Sequence, residues 1–72
     1  MIIDHVRVVL GDMPTDVTTR QVIRAVNRRR MLHGKRPVLR GPVKRALFKL
    51  VAKGEVIELA FNRWRVVALR GA

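Results

Sequence analysis

Between residues 2 and 13 the apolar side chains Ile2, Ile3, Val6, Val9, Leu10 and Met13 recur at intervals of three and four. That spacing lines one face of a helix. Alternation, the mark of a strand, fails at Ile2-Ile3 and at Val8-Val9-Leu10, so a helix over 2–11 is expected, stopped by Gly11. Residues 12–16, with Pro14, read as a turn. A second helix, 18–31, begins with Thr18 and places Gln21 three residues later, the spacing of a capping box. Its inner stripe is Val22, Ile23 and Val26, with Met31 as an extension, while Arg20, Arg24 and Asn27 fall on the other side. Residues 32–41, with two glycines and Pro37, form a basic loop that lacks any acidic residue. The third helix, 42–53, has Gly41 as its cap, Pro42 at its first position and Gly54 just beyond its end. Val43, Ala46, Leu47, Leu50 and Val51 supply its apolar stripe without a miss.

Beyond Gly54 the period changes to two. Ile57, Leu59 and Phe61 alternate with Glu58 and Ala60, and Trp64, Val66 and Ala68 alternate with Arg63, Arg65 and Val67. Strands over 55–61 and 64–69 are expected, joined by a two-residue turn at Asn62-Arg63 that sets Phe61 opposite Trp64. With no repeat and no low-complexity stretch, the 72 residues read as a single α+β domain.

Charge changes the picture more than composition does. Sixteen Lys and Arg against five Asp and Glu leave a net +11. Residues 1–19 hold Asp4, Asp12 and Asp16 against Arg7, so the whole surplus lies beyond Thr19. A folded domain gains no stability from such self-repulsion, which points to a polyanionic partner. On the third helix Arg45 and Lys49 project opposite the apolar stripe, Lys44 and Phe48 flank it on one side and Lys53 on the other, with no acid to neutralise them. The run Arg28-Arg29-Arg30 exceeds what a helix C-terminus needs to satisfy its dipole.

Helix, turn, capped helix, basic loop, helix, glycine and hairpin together resemble the winged helix-turn-helix family over nearly the whole chain. The stretch from Arg40 to Leu59 looks like a recognition helix closed by Lys53-Gly54 and followed by a first wing strand; Thr18 to Val26 looks like the preceding helix of the motif. One departure is the roughly ten residues between Met31 and Pro42, where such motifs use three or four. The resemblance implies three helices followed by a two-stranded antiparallel wing hairpin, and duplex DNA as partner. It also implies sequence-selective binding as a small transcriptional regulator, with the third helix in the major groove.

The chemistry of the residues points the same way. Arg45 and Lys44 are expected at base edges, with Lys49, Arg40 and Arg20 on phosphates. Arg63 and Arg65 are expected on the backbone or in the minor groove, and Arg28, Arg29, Arg30, Lys35 and Arg36 as sequence-independent phosphate contacts. Two alternatives stay open: an architectural or accessory DNA binder of little sequence preference, and an RNA- or ribosome-associated winged helix. A homodimer on paired half-sites is also open, with the first helix as its spare surface.

Other classes fit the residues poorly. Without cysteine there is no disulfide framework, thiol nucleophile or thiolate metal site. His5 and His33 have no ligand-spaced neighbours, and Gly41-Pro42-Val43-Lys44 lacks P-loop spacing. No enzyme activity, metal, cofactor or small-molecule ligand is expected. The longest apolar run, Val66-Val67-Ala68-Leu69, is far below the ~20 residues of a membrane span. A cytoplasmic, nucleoid-associated protein is the expectation. Three aromatics in the chain are too few for a base-stacking sheet.

Overall fold

A computed structural model describes residues 1–69. In chain order it contains α1 (Ile2–Gly11), β1 (Asp16–Thr18), α2 (Thr19–Leu32), α3 (Arg40–Ala52), β2 (Val56–Ala60) and β3 (Arg63–Val66). The strands form one antiparallel sheet in the order β1-β3-β2. The core is built from the stripes the sequence displays: Val6, Val9 and Leu10 of α1, Val22 and Val26 of α2, and Val43, Ala46, Leu47 and Leu50 of α3. Val17, Val56 and Trp64 close it from the sheet side.

The helix ends follow local chemistry. Thr18 caps α2 as expected: its hydroxyl accepts from the Gln21 amide at 3.2 Å, and Gln21 Oε1 accepts from the Thr18 amide at 2.8 Å. At the C-terminus of α2 the Gly34 amide donates to the Met31 carbonyl and the Lys35 amide to that of Arg30. At the end of α3 Gly54 donates to Val51 and Glu55 to Leu50. Both are Schellman closures, which need a residue at positive φ, and Gly34 and Gly54 supply it at 70° and 74°. The third helix starts earlier than expected, at Arg40 with Leu39 in the cap position, so Pro42 stands inside the first turn. Proline is tolerated there because first-turn amides have no helical acceptor. With α2 running one residue further, the linker shrinks to residues 33–39. Asn27 fixes it to α2 by donating to the Val38 carbonyl (3.2 Å) and accepting from its amide (2.8 Å).

The sheet departs from expectation in three ways. It has three strands, because Asp16–Thr18, expected as turn and cap, pairs with β3: Asp16 opposite Arg65, Val17 opposite Trp64 and Thr18 opposite Arg63. Burial of Val17 between helices and hairpin accounts for this extended segment. Second, the strands are shorter than 55–61 and 64–69. The turn lies at Phe61-Asn62, Asn62 takes the positive φ (62°), and Arg63 already belongs to β3. Third, Phe61 does not face Trp64. An irregularity between Glu58 and Ala60 leaves Leu59 unpaired and shifts the register, so that Trp64 stands opposite Glu58. Trp64 meets Phe48 of α3 instead, edge to face with ring centroids 5.2 Å apart. No helix among the described residues is long and apolar enough to cross a membrane.

Candidate nucleic-acid interface

Trp64 ties the hairpin to α2. Its indole N–H donates to the Thr19 hydroxyl at 2.7 Å, that hydroxyl lies 3.2 Å from Asn62 Oδ1, and the Thr19 amide donates to the Asn62 carbonyl at 3.0 Å. One otherwise orphaned amide of α2 is thus satisfied by the hairpin turn. Arg7 of α1 forks onto Glu55, just ahead of β2, through Nε (3.0 Å) and Nη2 (2.9 Å). Glu55 is wholly buried, and the bond to it raises the Arg7 guanidinium above its ordinary pKa. These two junctions hold α2, α3 and the hairpin in a fixed arrangement, and neither was visible in the spacing of residues.

Between them α3 shows an exposed ridge. Arg45, Lys49, Ala52 and Lys53 are solvent-exposed, and Lys44 is half-buried. Along the hairpin edge of that ridge, Phe48 touches Trp64 and the Lys44 ammonium lies 4.7 Å from the centre of the Phe61 ring. A cation over the face of an aromatic ring is attracted by its quadrupole. Lys44 is thereby drawn toward the hairpin tip, where Phe61 is 80% exposed. Along the opposite edge Arg45, Lys49 and Pro42 line a shallow depression with Met1, Ile2 and Ile3 of α1. Gly41 leaves room for the Arg45 guanidinium, which would lie 3.4 Å from a Cβ placed at that position.

The remaining expected contacts separate into distinct neighbourhoods. Arg20, Arg28 and Arg40 line a groove along α2, together with Arg24, a residue of the outer face of the helix that is not among the expected contacts. The four-residue spacing of Arg20, Arg24 and Arg28 is the signal that could have added it. Arg29 and Arg30 are half-buried near α1, and Arg30 Nε donates to the Arg36 carbonyl at 2.8 Å. With Lys35 they surround His5, whose pKa is lowered by burial first and then by Lys35, Arg30, Arg29 and the N-terminal ammonium. Among the described residues, His5 Nδ1 and Arg29 Nε are buried without a hydrogen-bond partner. Arg36 and Lys35 are exposed on the linker and Arg63 on β3.

Arg65 has a partner already. It grips Asp16 through two bonds of 2.8 and 3.0 Å, which pull the Asp16 carboxyl below its ordinary pKa. Its charge is largely spent across the sheet, whereas Arg63 of the hairpin has no carboxylate partner among the described residues. Among the described residues, ion pairs otherwise join only Asp4 to the N-terminus and to Arg7, and Arg7 to Glu55. Among the described residues, the exposed cations of α2, the linker and α3 therefore have no carboxylate within ion-pair distance. Among the described residues no three potential metal ligands cluster together. Set against protein-family models, curated proteins and solved structures, the chain matches none.

Proposed function

We propose that this protein is a winged helix-turn-helix that binds duplex DNA with sequence preference, as a small transcriptional regulator. The reading rests on one observation above others: the outer ridge of α3 is exposed and cationic, and no acidic side chain neutralises it. The order of elements is compatible with that family. A helix of 13 residues is about 20 Å long and fits a major groove about 12 Å wide. Arg45 is the base reader in this scheme, since a guanidinium can hold guanine O6 and N7 together. Lys44, drawn to Phe61, sits where α3 and the hairpin meet and serves the backbone beside the groove. Lys49, Arg40 and Arg20 hold phosphates, and Arg63 carries the wing contact.

Selection of bound fragments from a random duplex library tests the proposal. A sharp consensus is expected, and Arg45→Ala should cost about 1–3 kcal/mol on that site and relax its sequence preference. Neutralising about six phosphates gives a log–log salt slope of roughly −5. Uniform recovery of all sequences would replace the regulator with an architectural binder, and tighter binding of structured RNA would remove duplex DNA as the partner.

A further inference from the structure

The outward face of α2, the linker and the first residue of α3 enclose a groove of about 870 Å³. Ile23 and Val38, both half-buried, lie at its base, and Met31, Leu32 and Leu39 stand along it with 67%, 83% and 80% of their surface exposed. Arg20, Arg24, Arg28 and Arg40 rim it. A chain this short has few apolar side chains to spare from its core, and three large ones exposed around one concavity mark a contact surface. The groove is also preformed. Asn27 spends both ends of its amide on Val38, so the linker wall is already fixed against α2 and no ordering cost is left for a ligand.

We infer that this groove docks an acidic amphipathic helix from another protein, a role that goes beyond the DNA reading and would compete with it for Arg20 and Arg40. Such a helix would lay Leu- or Phe-type anchors on Ile23, Val38 and Leu39 and direct Asp or Glu flanks to the four arginines. Charge decides against the alternatives. A second copy of this chain would set one arginine rim against another, and of its five acidic residues Asp4, Asp16 and Glu55 are engaged with Arg7 and Arg65, which leaves Asp12 and Glu58, too few to face four arginines. A nucleic acid could use the rim but gains little from the base, and no aromatic side chain lines the groove to stack on a nucleotide.

The test is selection on the whole protein from a phage-displayed library of helix-forming peptides, followed by fluorescence anisotropy with one synthetic peptide from the enriched class. Enriched sequences should carry apolar residues at i, i+3 or i+4, and i+7, flanked by Asp or Glu. The double variant Leu32→Ser/Leu39→Ser, both positions being exposed, should keep its circular dichroism and melting temperature yet bind the peptide at least about tenfold more weakly. Arg24→Glu should weaken it as well, and a Glu→Lys change in the peptide should restore part of that loss. The inference is overturned by an enriched class without acidic bias, by peptide binding indifferent to both variants, or by a wild-type dimer that the two serines dissolve. A loss of duplex DNA affinity in the double variant matching its loss of peptide would also overturn it, since the groove would then belong to the nucleic-acid surface.

Discussion

Replacing Thr19 by Val tests the junction that fixes the hairpin relative to α2. Valine keeps the shape and β-branching of threonine and leaves the backbone bond to Asn62 in place. It removes the one acceptor that the described residues offer the Trp64 indole N–H, in a side chain with no exposed surface. A buried donor left without a partner costs about 1–3 kcal/mol. For a domain of 72 residues, at 0.05–0.15 kcal/mol per residue, the whole stability is about 4–11 kcal/mol, so the change consumes a large share of it. The expected fall in melting temperature is about 4–8 °C per kcal/mol. Trp64→Phe also destabilises, chiefly through lost volume, but in that background Thr19→Val strands no indole. The double variant should therefore be more stable than the sum of the singles by about 1–2 kcal/mol. Urea unfolding of all four proteins by circular dichroism measures this, and in the two that retain it the only tryptophan of the chain gives a second probe. Effects that add to within about 0.5 kcal/mol would show that the 2.7 Å bond carries no coupling and would refute the reasoning.

Gly54→Ala should destabilise by about 1–2 kcal/mol, the cost of a Cβ in the left-handed region, because the space around the position is open and only the backbone resists; an unchanged urea midpoint would mean that the turn after α3 is not held in this form. The pKa of His5, followed by NMR, should lie below the ordinary 6.5. Because the folded state prefers the neutral ring, stability from this residue is fully present above the unfolded value of 6.5 and is lost as pH falls from there through the lower folded value, so His5→Gln should flatten the stability profile on the acid side of pH 6.5; an elevated pKa would contradict the placement of Lys35, Arg30 and Arg29 around it. Asp16→Asn should release Arg65 for phosphate, tightening duplex binding several-fold and steepening the salt slope by about 1; unchanged affinity and slope would show that Arg65 lies off the DNA path.

The helices were legible because each carries its own signal. A stripe of Val43, Ala46, Leu47 and Leu50 at helical spacing needs no knowledge of the rest of the chain, and Thr18 with Gln21 announces a start that the hydrogen bonds bear out. β1 has no such signal. Three residues with one buried side chain carry no period, and their reason for being extended, Trp64 and Arg65, lies more than 40 positions downstream. The hairpin register departs from expectation for the same cause: alternation runs unbroken through Leu59, whereas the observed register leaves Leu59 out and Trp64 packs on Phe48. Of the candidate contacts, the exposed ridge of α3 followed directly from its stripe. Commitments made across the fold did not, since Asp16 and Arg65 are distant in sequence and Arg24 joins Arg40 only when the linker folds back.

The acids explain the placement of the surplus charge. Three of the five acidic residues are spent on Arg7 and Arg65: Asp4 and Glu55 face the first, Asp16 the second. Glu55 on Arg7 and Asp16 on Arg65 bind α1 to the segment entering β2 and β1 to β3, so two of the carboxylates stand where elements far apart in sequence meet, while Asp4 lies one turn from Arg7 within α1. What remains is cationic because nothing structural requires its neutralisation. Arg20, Arg24, Arg28, Arg40, Arg45 and Lys49 could each be given an acidic neighbour one helical turn away at no cost to the core, and an i,i+4 pair would gain a few tenths of a kcal/mol. Within the helices no residue at those positions is acidic, and Asp16, four residues before Arg20, belongs to β1 and is held by Arg65. On the proposed reading, a fold that places carboxylates at two tertiary junctions and leaves one helix ridge and one groove rim unpaired holds that charge for partners outside itself: phosphates along the ridge of α3, and phosphates and carboxylates in competition along the rim of α2.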